Sequence, residues 1–204
     1  MDGKQETIKK RYNRVARIYD ILEYPMETGF SKWREELLNQ ADGKTLEVGI
    51  GTGKNIPYYP EQVELTGIDF SPGMIEMAKK KVKDKGNVHL QVMDAENMEF
   101  EDNSFDTVVT SCVFCSVPDP VQGLKEIRRV CKKEGKILML EHVRSNHKVI
   151  GKMMDIVNPL PLHIYGANIN RRTFDNLLKA GFDSRNIQVN DLWFDIVKKI
   201  IISN

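Results

Sequence analysis

No apolar run in this 204-residue sequence approaches the ~18 residues of a membrane span, so no transmembrane helix is expected. The opening M-D-G-K-Q-E-T lacks the apolar stretch of a signal peptide, which predicts a chain without a cleaved leader. Neither sign of charge dominates: 30 Lys and Arg stand against 29 Asp and Glu, a formal net charge of +1. Nucleic-acid binders usually carry a basic surplus, so that class is set aside. Cysteine is scarce and odd in number. Cys112, Cys115 and Cys131 suit a reduced, cytoplasmic setting better than a disulfide framework. Cys112-x-x-Cys115 has metal-like spacing but no second pair, so no zinc site is expected. Internal repeats and low-complexity segments are also lacking, and the length suits one domain, 1–204, with a full core.

What is present is an alternation of short β-rich runs with helical ones. Strands are predicted at Thr45–Val48, Val63–Asp69, Val88–Met93, Thr107–Ser111 and Lys136–Glu141. Between them, Ser71 caps a helix that has Pro72 first and ends near Gly86. Asp119 caps another that has Pro120 first and runs to about Lys133. This order predicts an α/β fold whose mostly parallel sheet has helices on both faces. Two further strands near Asn186–Val189 and Asp195–Ile202 read as an antiparallel hairpin, after a helix Arg171–Ala180 capped by Asn170. Ahead of the alternation, Ile8, Tyr12, Val15, Tyr19 and Leu22 make one apolar stripe on a helix from about Thr7 to Ile21, with a second helix, Glu27–Asn39, after Pro25. Residues 1–20 hold six Lys and Arg against three Asp and Glu. This local surplus fits either a solvated helix or one that meets an anionic membrane surface through residues 5–21.

The most informative stretch is T-L-E-V-G-I-G-T-G, Thr45 to Gly53. A strand runs into three glycines, Gly49, Gly51 and Gly53, which allow a sharp turn and close approach of a flat or charged ligand. Such a turn alone also suits NAD, but the dinucleotide pattern needs a glycine at position 54, where this chain has Lys54. Glu47 ahead of the turn favours a ligand with a cationic group. Asp69, twenty residues after Gly49, suits a pair of ribose hydroxyls. Asp94 and Ser111 fall at later strand ends, where open parallel sheets bind ligands.

Together these residues resemble the class I S-adenosylmethionine-dependent methyltransferases, over about Tyr12 to Phe182. E-V-G-I-G-T-G looks like their first motif, I-D-F-S with Met74 like the next, and D-A-E-N-M-E-F with S-F-D-T-V like the region that follows. The resemblance implies a seven-stranded Rossmann-like sheet with an antiparallel last strand, and S-adenosylmethionine as cofactor. It implies that Gly49, Gly51 and Gly53 surround the methionyl group, that Asp69 holds the ribose, and that Phe70 or Met74 lies on adenine. Asp94, beside Ala95, would accept from the adenine amine, and Ser111 would lie near the methionyl group. R-Y-N-R-V-A-R-I-Y-D is similar to the N-terminal helix of the quinone-biosynthesis C-methyltransferases, which folds over the cofactor; residues 1–40 would form this lid, and Tyr12 and Tyr19 either line it or pack in the core.

The acceptor is less legible. V-F-C-S-V-P-D-P, E-H-V-R and G-A-N-I-N-R-R-T resemble bacterial phospholipid N-methyltransferases and microsomal alkyl-thiol methyltransferases, which implies an amphiphilic small molecule or lipid. The apolar insert 143–170 fits either such a substrate or packing onto the core. His142 is the candidate general base, since imidazole titrates near neutrality, against a histidine hydrogen-bonded for structure. His163, Tyr165 and Arg171 are weaker substrate-side candidates, and Arg171 suits a phosphate. N-methylation of a phosphatidylethanolamine-like amine is favoured over C-methylation of a quinone precursor or S-methylation of a thiol. A non-catalytic cofactor-binding module and an NAD-dependent oxidoreductase are the readings from other classes.

Overall fold

The computed structural model describes residues 3–82, 86–164 and 166–204, with the backbone alone for residues 4, 22–28 and 164. Its centre is a sheet of β1 (Lys44–Val48), β2 (Glu64–Asp69), β3 (Val88–Val92), β4 (Phe105–Ser111), β5 (Cys131–His142), β6 (Ile187–Leu192) and β7 (Val197–Ser203). The spatial order is β3-β2-β1-β4-β5-β7-β6. The first five strands run parallel, and β7 enters antiparallel between β5 and β6. Order reverses between β1 and β4, the switch point where open α/β sheets take ligands. Val48 pairs with Ile68 on one side and Thr110 on the other, so β1, β2 and β4 end level around that point.

The run I-L-M-L in β5 shows why these segments become strands. Ile137 and Met139 enter one core, with Leu124, Ile127 and Val130 of α4 (Pro120–Val130) and Leu177 of α7 (Thr173–Lys179). Leu138 and Leu140 enter the other, with Phe30, Leu37 and Leu38 of α2 (Tyr19–Leu38) and Ile75 of α3 (Pro72–Val82). A strand buried on both faces needs continuous apolar residues rather than alternating ones. The expected caps form at two helices. Ser71 Oγ accepts Met74 N at 3.2 Å, and Asp119 Oδ1 accepts Val121 N and Gln122 N at 3.1 and 3.0 Å.

Four expectations need correction. The predicted helix from Thr7 to Ile21 is two helices, α1 (Gly3–Val15) and the start of α2, broken at residues 16–18, where Ile18 N bonds Val15 O. The break lets α1 cross the ligand end of the sheet while α2 packs on its face. Pro25 does not precede α2 but lies inside it. The helix α4 stops at Val130 rather than Lys133. Cys131 already pairs with Phe105, and residues 132–135 bulge opposite Asp106, whose carboxylate holds Lys132 Nζ at 2.6 Å. Asn170 does not cap α7; its amide donates instead to Asp155 at 3.1 Å. The insert after β5 forms α5 (Lys148–Val157) and α6 (Pro159–Ile164). No helix among the described residues is long and apolar enough to cross a membrane.

Candidate functional site

The glycine turn leaves β1 at the switch point. Gly49 has φ +69°, and a Cβ there would stand 2.6 Å from Val113 Cγ2. Gly51 has φ +56° with open space where a Cβ would be, and its N–H donates to Asp69 Oδ2 at 3.0 Å. Gly53 does not line the cavity. Its missing side chain lets the turn approach α3, with Ala78 Cα 3.2 Å from the Cβ position.

Asp69 ends β2 with its other oxygen accepting Ser71 N at 2.8 Å. Burial raises its carboxyl to about 6, against the two backbone donors that favour the charge. Each oxygen therefore has one lone pair fixed by the backbone and a second left for the cavity. Phe70 and Met74 continue this wall, beside Ala95 and Ser111. Asp94 accepts Glu96 N on one oxygen and the Gln5 side-chain amide on the other. Gln5 belongs to α1, so that helix places an N–H2 donor on the carboxylate expected to meet an adenine amine.

Other contacts hold α1 in place. Tyr12 Oη and Ser116 Oγ lie 2.5 Å apart. Asn13 Oδ1 accepts Ser71 Oγ at 2.7 Å and Gly73 N at 3.0 Å. Tyr12 meets Phe70 edge-on at 5.8 Å and Tyr19 at 6.1 Å between centroids, and Lys54 Nζ sits 5.6 Å from the Tyr19 ring centre. All four line the cavity.

Glu47 lies buried at the cavity base. Asn55 Nδ2 donates to one oxygen at 2.7 Å and Tyr59 Oη to the other at 2.9 Å. Burial raises it to about 7, opposed by these donors and by the nearby Arg34 cation. Arg34 lines the same cavity from α2, buried with its guanidinium 5.6 Å from the Phe30 ring centre.

Beneath the loop after β4 lies Glu141, fully buried. It accepts Thr110 Oγ1 at 2.7 Å, Val113 N at 3.3 Å and Phe114 N at 3.2 Å, and burial raises it to about 7. These bonds fix the turn in which Cys112 adopts φ +54°, the residue that follows Ser111 into the cavity wall.

The substrate-side candidates lie elsewhere. His142 does not line the cavity. Its ring bonds the Ile169 backbone, burial lowers its pKa, and its buried Nδ1 has no partner among the described residues. The insert thus holds the ring outside the residues that line this cavity. Arg171 donates to Val117 O at 2.7 Å and braces the cavity wall from behind, while His163 is exposed with Nδ1 2.9 Å from Pro159 O. Tyr165 lies outside the described residues. Gln5, Arg34, Ser116 and Glu141 were missed. Two left a sequence signal: Arg34 interrupts the apolar face of Phe30, Leu37 and Leu38, and Glu141 follows a run buried on both faces.

A family model described as a methyltransferase domain matches residues 46–139. The chain is 36% identical over 140 residues to the phosphatidylethanolamine N-methyltransferase of Cereibacter sphaeroides, covering 67% of this chain and 68% of that one. It is 36% identical over 153 residues to a ubiquinone/menaquinone biosynthesis C-methyltransferase of Citrifermentans bemidjiense, covering 69% and 65%. It therefore spans about two thirds of these relatives' length. Among solved structures, a SAM-dependent methyltransferase of Thermotoga maritima, described as a possible histamine N-methyltransferase, matches with TM-score 0.69 over 95% of this chain and 97% of that one. Its identity of 21% makes this a likeness of fold.

Proposed function

Because this chain belongs to the S-adenosylmethionine-dependent methyltransferases, we propose that it methylates the amine of an amphiphile resembling phosphatidylethanolamine. The residues present fit the cofactor: Gly51 leaves open space against the turn, and each oxygen of Asp69 keeps a second lone pair toward the cavity. When bound, the cofactor supplies an electrophilic methyl group on a sulfonium. The chain's part is to align the acceptor, exclude water and tolerate positive charge. In this reading Asp69 holds the ribose and Asp94 the adenine amine, with Gln5 yielding its place. The contact of Tyr12 with Ser116, 2.5 Å in this structure, would keep α1 over the bound cofactor.

The observation that carries the amine over other acceptors is the aromatic group of Tyr12, Tyr19 and Phe70. Lys54 Nζ lies over Tyr19, so a primary ammonium already sits against this wall. Glu47 and Asp94 bring carboxyl groups to the same cavity, where Arg34 stands beside Glu47 as a second cation. With the cofactor bound, an amine lone pair would take the methyl group as the S–C bond breaks, and the nitrogen would give one proton to water. The relative from Cereibacter sphaeroides is named for this chemistry. A second reading, C-methylation of a quinone precursor, is favoured by the equally identical relative from Citrifermentans bemidjiense. The basic face of α1 would hold the enzyme near anionic lipid headgroups. A panel with labelled methyl donor, offering ethanolamine phospholipid, a demethylated quinol and an alkyl thiol, tests the reading. Label on the ethanolamine nitrogen is expected; label on the quinol alone overturns it.

A further inference from the structure

The insert was expected either to contact substrate or to pack on the core. It turns its apolar residues both ways. Gly151 and Met154 of α5 face the protein, whereas Val149, Met153, Ile156 and Leu160 are 62%, 60%, 77% and 62% exposed. Their spacing of four, three and four residues makes one stripe running from α5 onto α6.

A second apolar feature stands next to it. The turn between β6 and β7 exposes Trp193 at 53% and Phe194 at 77%. Trp193, Phe194 and Asp195 are consecutive at φ 34°, 54° and 59°, a region that residues with a side chain avoid. The turn is nonetheless anchored: Asp195 Oδ2 accepts Asn146 N at 2.7 Å and Ile196 O accepts Val143 N at 2.7 Å. Both aromatics are therefore held beside the segment that opens α5. Val197 pairs with His142, so the turn lies at the carboxyl end of β5, the end of the sheet that carries the cavity.

The acidic groups around this surface are paired: Asp191 meets Lys198 and Asp195 accepts Asn146 N. Lys148 and Lys152 are exposed on α5, while Asp155 is held by Arg144 at 2.9 Å. Arg11 Nη1 donates to Leu162 O at 2.6 Å, which joins α1, with Lys10 and Arg14 exposed on it and Arg17 exposed just after it, to the end of α6. Apolar residues with aromatics at the rim and lysines alongside match the boundary between headgroups and acyl chains.

We propose that the α5–α6 stripe and the Trp193–Phe194 turn dock on an anionic bilayer, with the cavity edge facing the lipid. The purpose of the surface rests on the lipid-acceptor reading, but its test does not. The full chain is mixed with vesicles of phosphatidylcholine, with or without phosphatidylglycerol, neither of which offers an ethanolamine amine. Co-sedimentation is expected with the anionic vesicles. Tryptophan emission should shift to the blue and be quenched by acyl-brominated lipid, and Trp193→Phe should remove that response while Trp33 remains. Met153→Glu with Ile156→Glu should weaken partitioning at least about tenfold, with affinity for S-adenosylhomocysteine unchanged as proof of folding. No vesicle binding by the wild type, or equal binding by the folded double variant, overturns the surface. So does a wild-type dimer in sedimentation velocity that the double variant dissolves, since a second copy would then cover this face. Vesicle binding with no methylation of an ethanolamine lipid offered separately in micelles supports the surface and overturns the acceptor; methylation of that micellar lipid without vesicle binding does the reverse.

Discussion

Asp69→Asn is the sharpest perturbation of the proposed cofactor site, because its consequences separate into two measurable parts. In the wild type, Gly51 N–H and Ser71 N–H each meet a carboxylate oxygen, at 3.0 and 2.8 Å. Asparagine keeps one oxygen and turns an N–H2 toward the other donor, whichever way the amide is placed. One buried N–H then loses its acceptor, which costs about 1–3 kcal/mol of fold stability. The ribose loses a charged acceptor as well. A hydrogen bond to a charged group is worth about 1.5–3 kcal/mol, so the Kd for S-adenosylhomocysteine should rise roughly ten- to hundredfold. The pH dependence is the second part. Burial holds Asp69 at about 6. Donating hydroxyls favour the ionised form, so wild-type affinity should be flat above that pH and decline as pH falls through it, by at most about tenfold per unit. The asparagine variant, having nothing to titrate, should lack this decline. Calorimetry at several pH values from 5 to about 8, with urea unfolding alongside, reads both. Unchanged Kd in a folded variant refutes the ribose role, as does an equal pH slope in both proteins.

Gly49→Ala combines a positive φ with a Cβ placed 2.6 Å from Val113. Left-handed strain of about 1–2 kcal/mol and overpacking of about 1–3 kcal/mol should lower stability together, read as a drop in the urea midpoint. For Glu141 the folded carboxyl is raised by burial to about 7 from 4.5. Between those values the folded state holds a proton that the unfolded state lacks. The unfolding free energy should therefore fall by roughly 3 kcal/mol as pH rises through this window. Glu141→Gln should remove this share of the slope, leave an N–H2 facing a backbone donor, and loosen the turn at Cys112; an unaltered slope of stability with pH would count against the burial argument. His142→Ala should leave affinity for S-adenosylhomocysteine unchanged and turnover nearly so, since the ring is turned into the insert; a selective collapse of turnover would restore it as a base.

Strand positions were legible in the sequence because a doubly buried parallel strand can hardly be built from anything but a short apolar run, as in Ile137 to Leu140. Ser71 and Asp119 were legible as caps because each stands directly before a proline that suits a first helical turn. Asn170 is a capping residue type with no proline after it; Asp155 competed for its amide, and local propensity does not register a partner fifteen residues away. Asp69, Asp94 and the glycine turn announce themselves at strand ends. Gln5 does not. Its contact with Asp94 spans 89 residues and exists only because the chain breaks at residues 16–18 and lays α1 across the sheet. His142 and Glu141 show the limit most closely. They are neighbours at the end of β5, and the residue with the more suggestive chemistry is turned away while the other organises the cavity wall.

The insertion of β7 between β5 and β6 bears on how the chain is made. A ribosome releases β1 to β5 in order, and each can pair with a strand already present or soon to follow. The outer edge of β5, with its buried I-L-M-L run, has no permanent neighbour until residues 197–203 emerge. Until then its apolar run is a template open to another nascent chain, with Lys136 and Glu141 as the charges at its ends. Stop codons or proteolytic nicks ahead of Val197 should therefore show up as insoluble product rather than as weakened catalysis, although they lie far along the chain from every residue that faces the cofactor cavity.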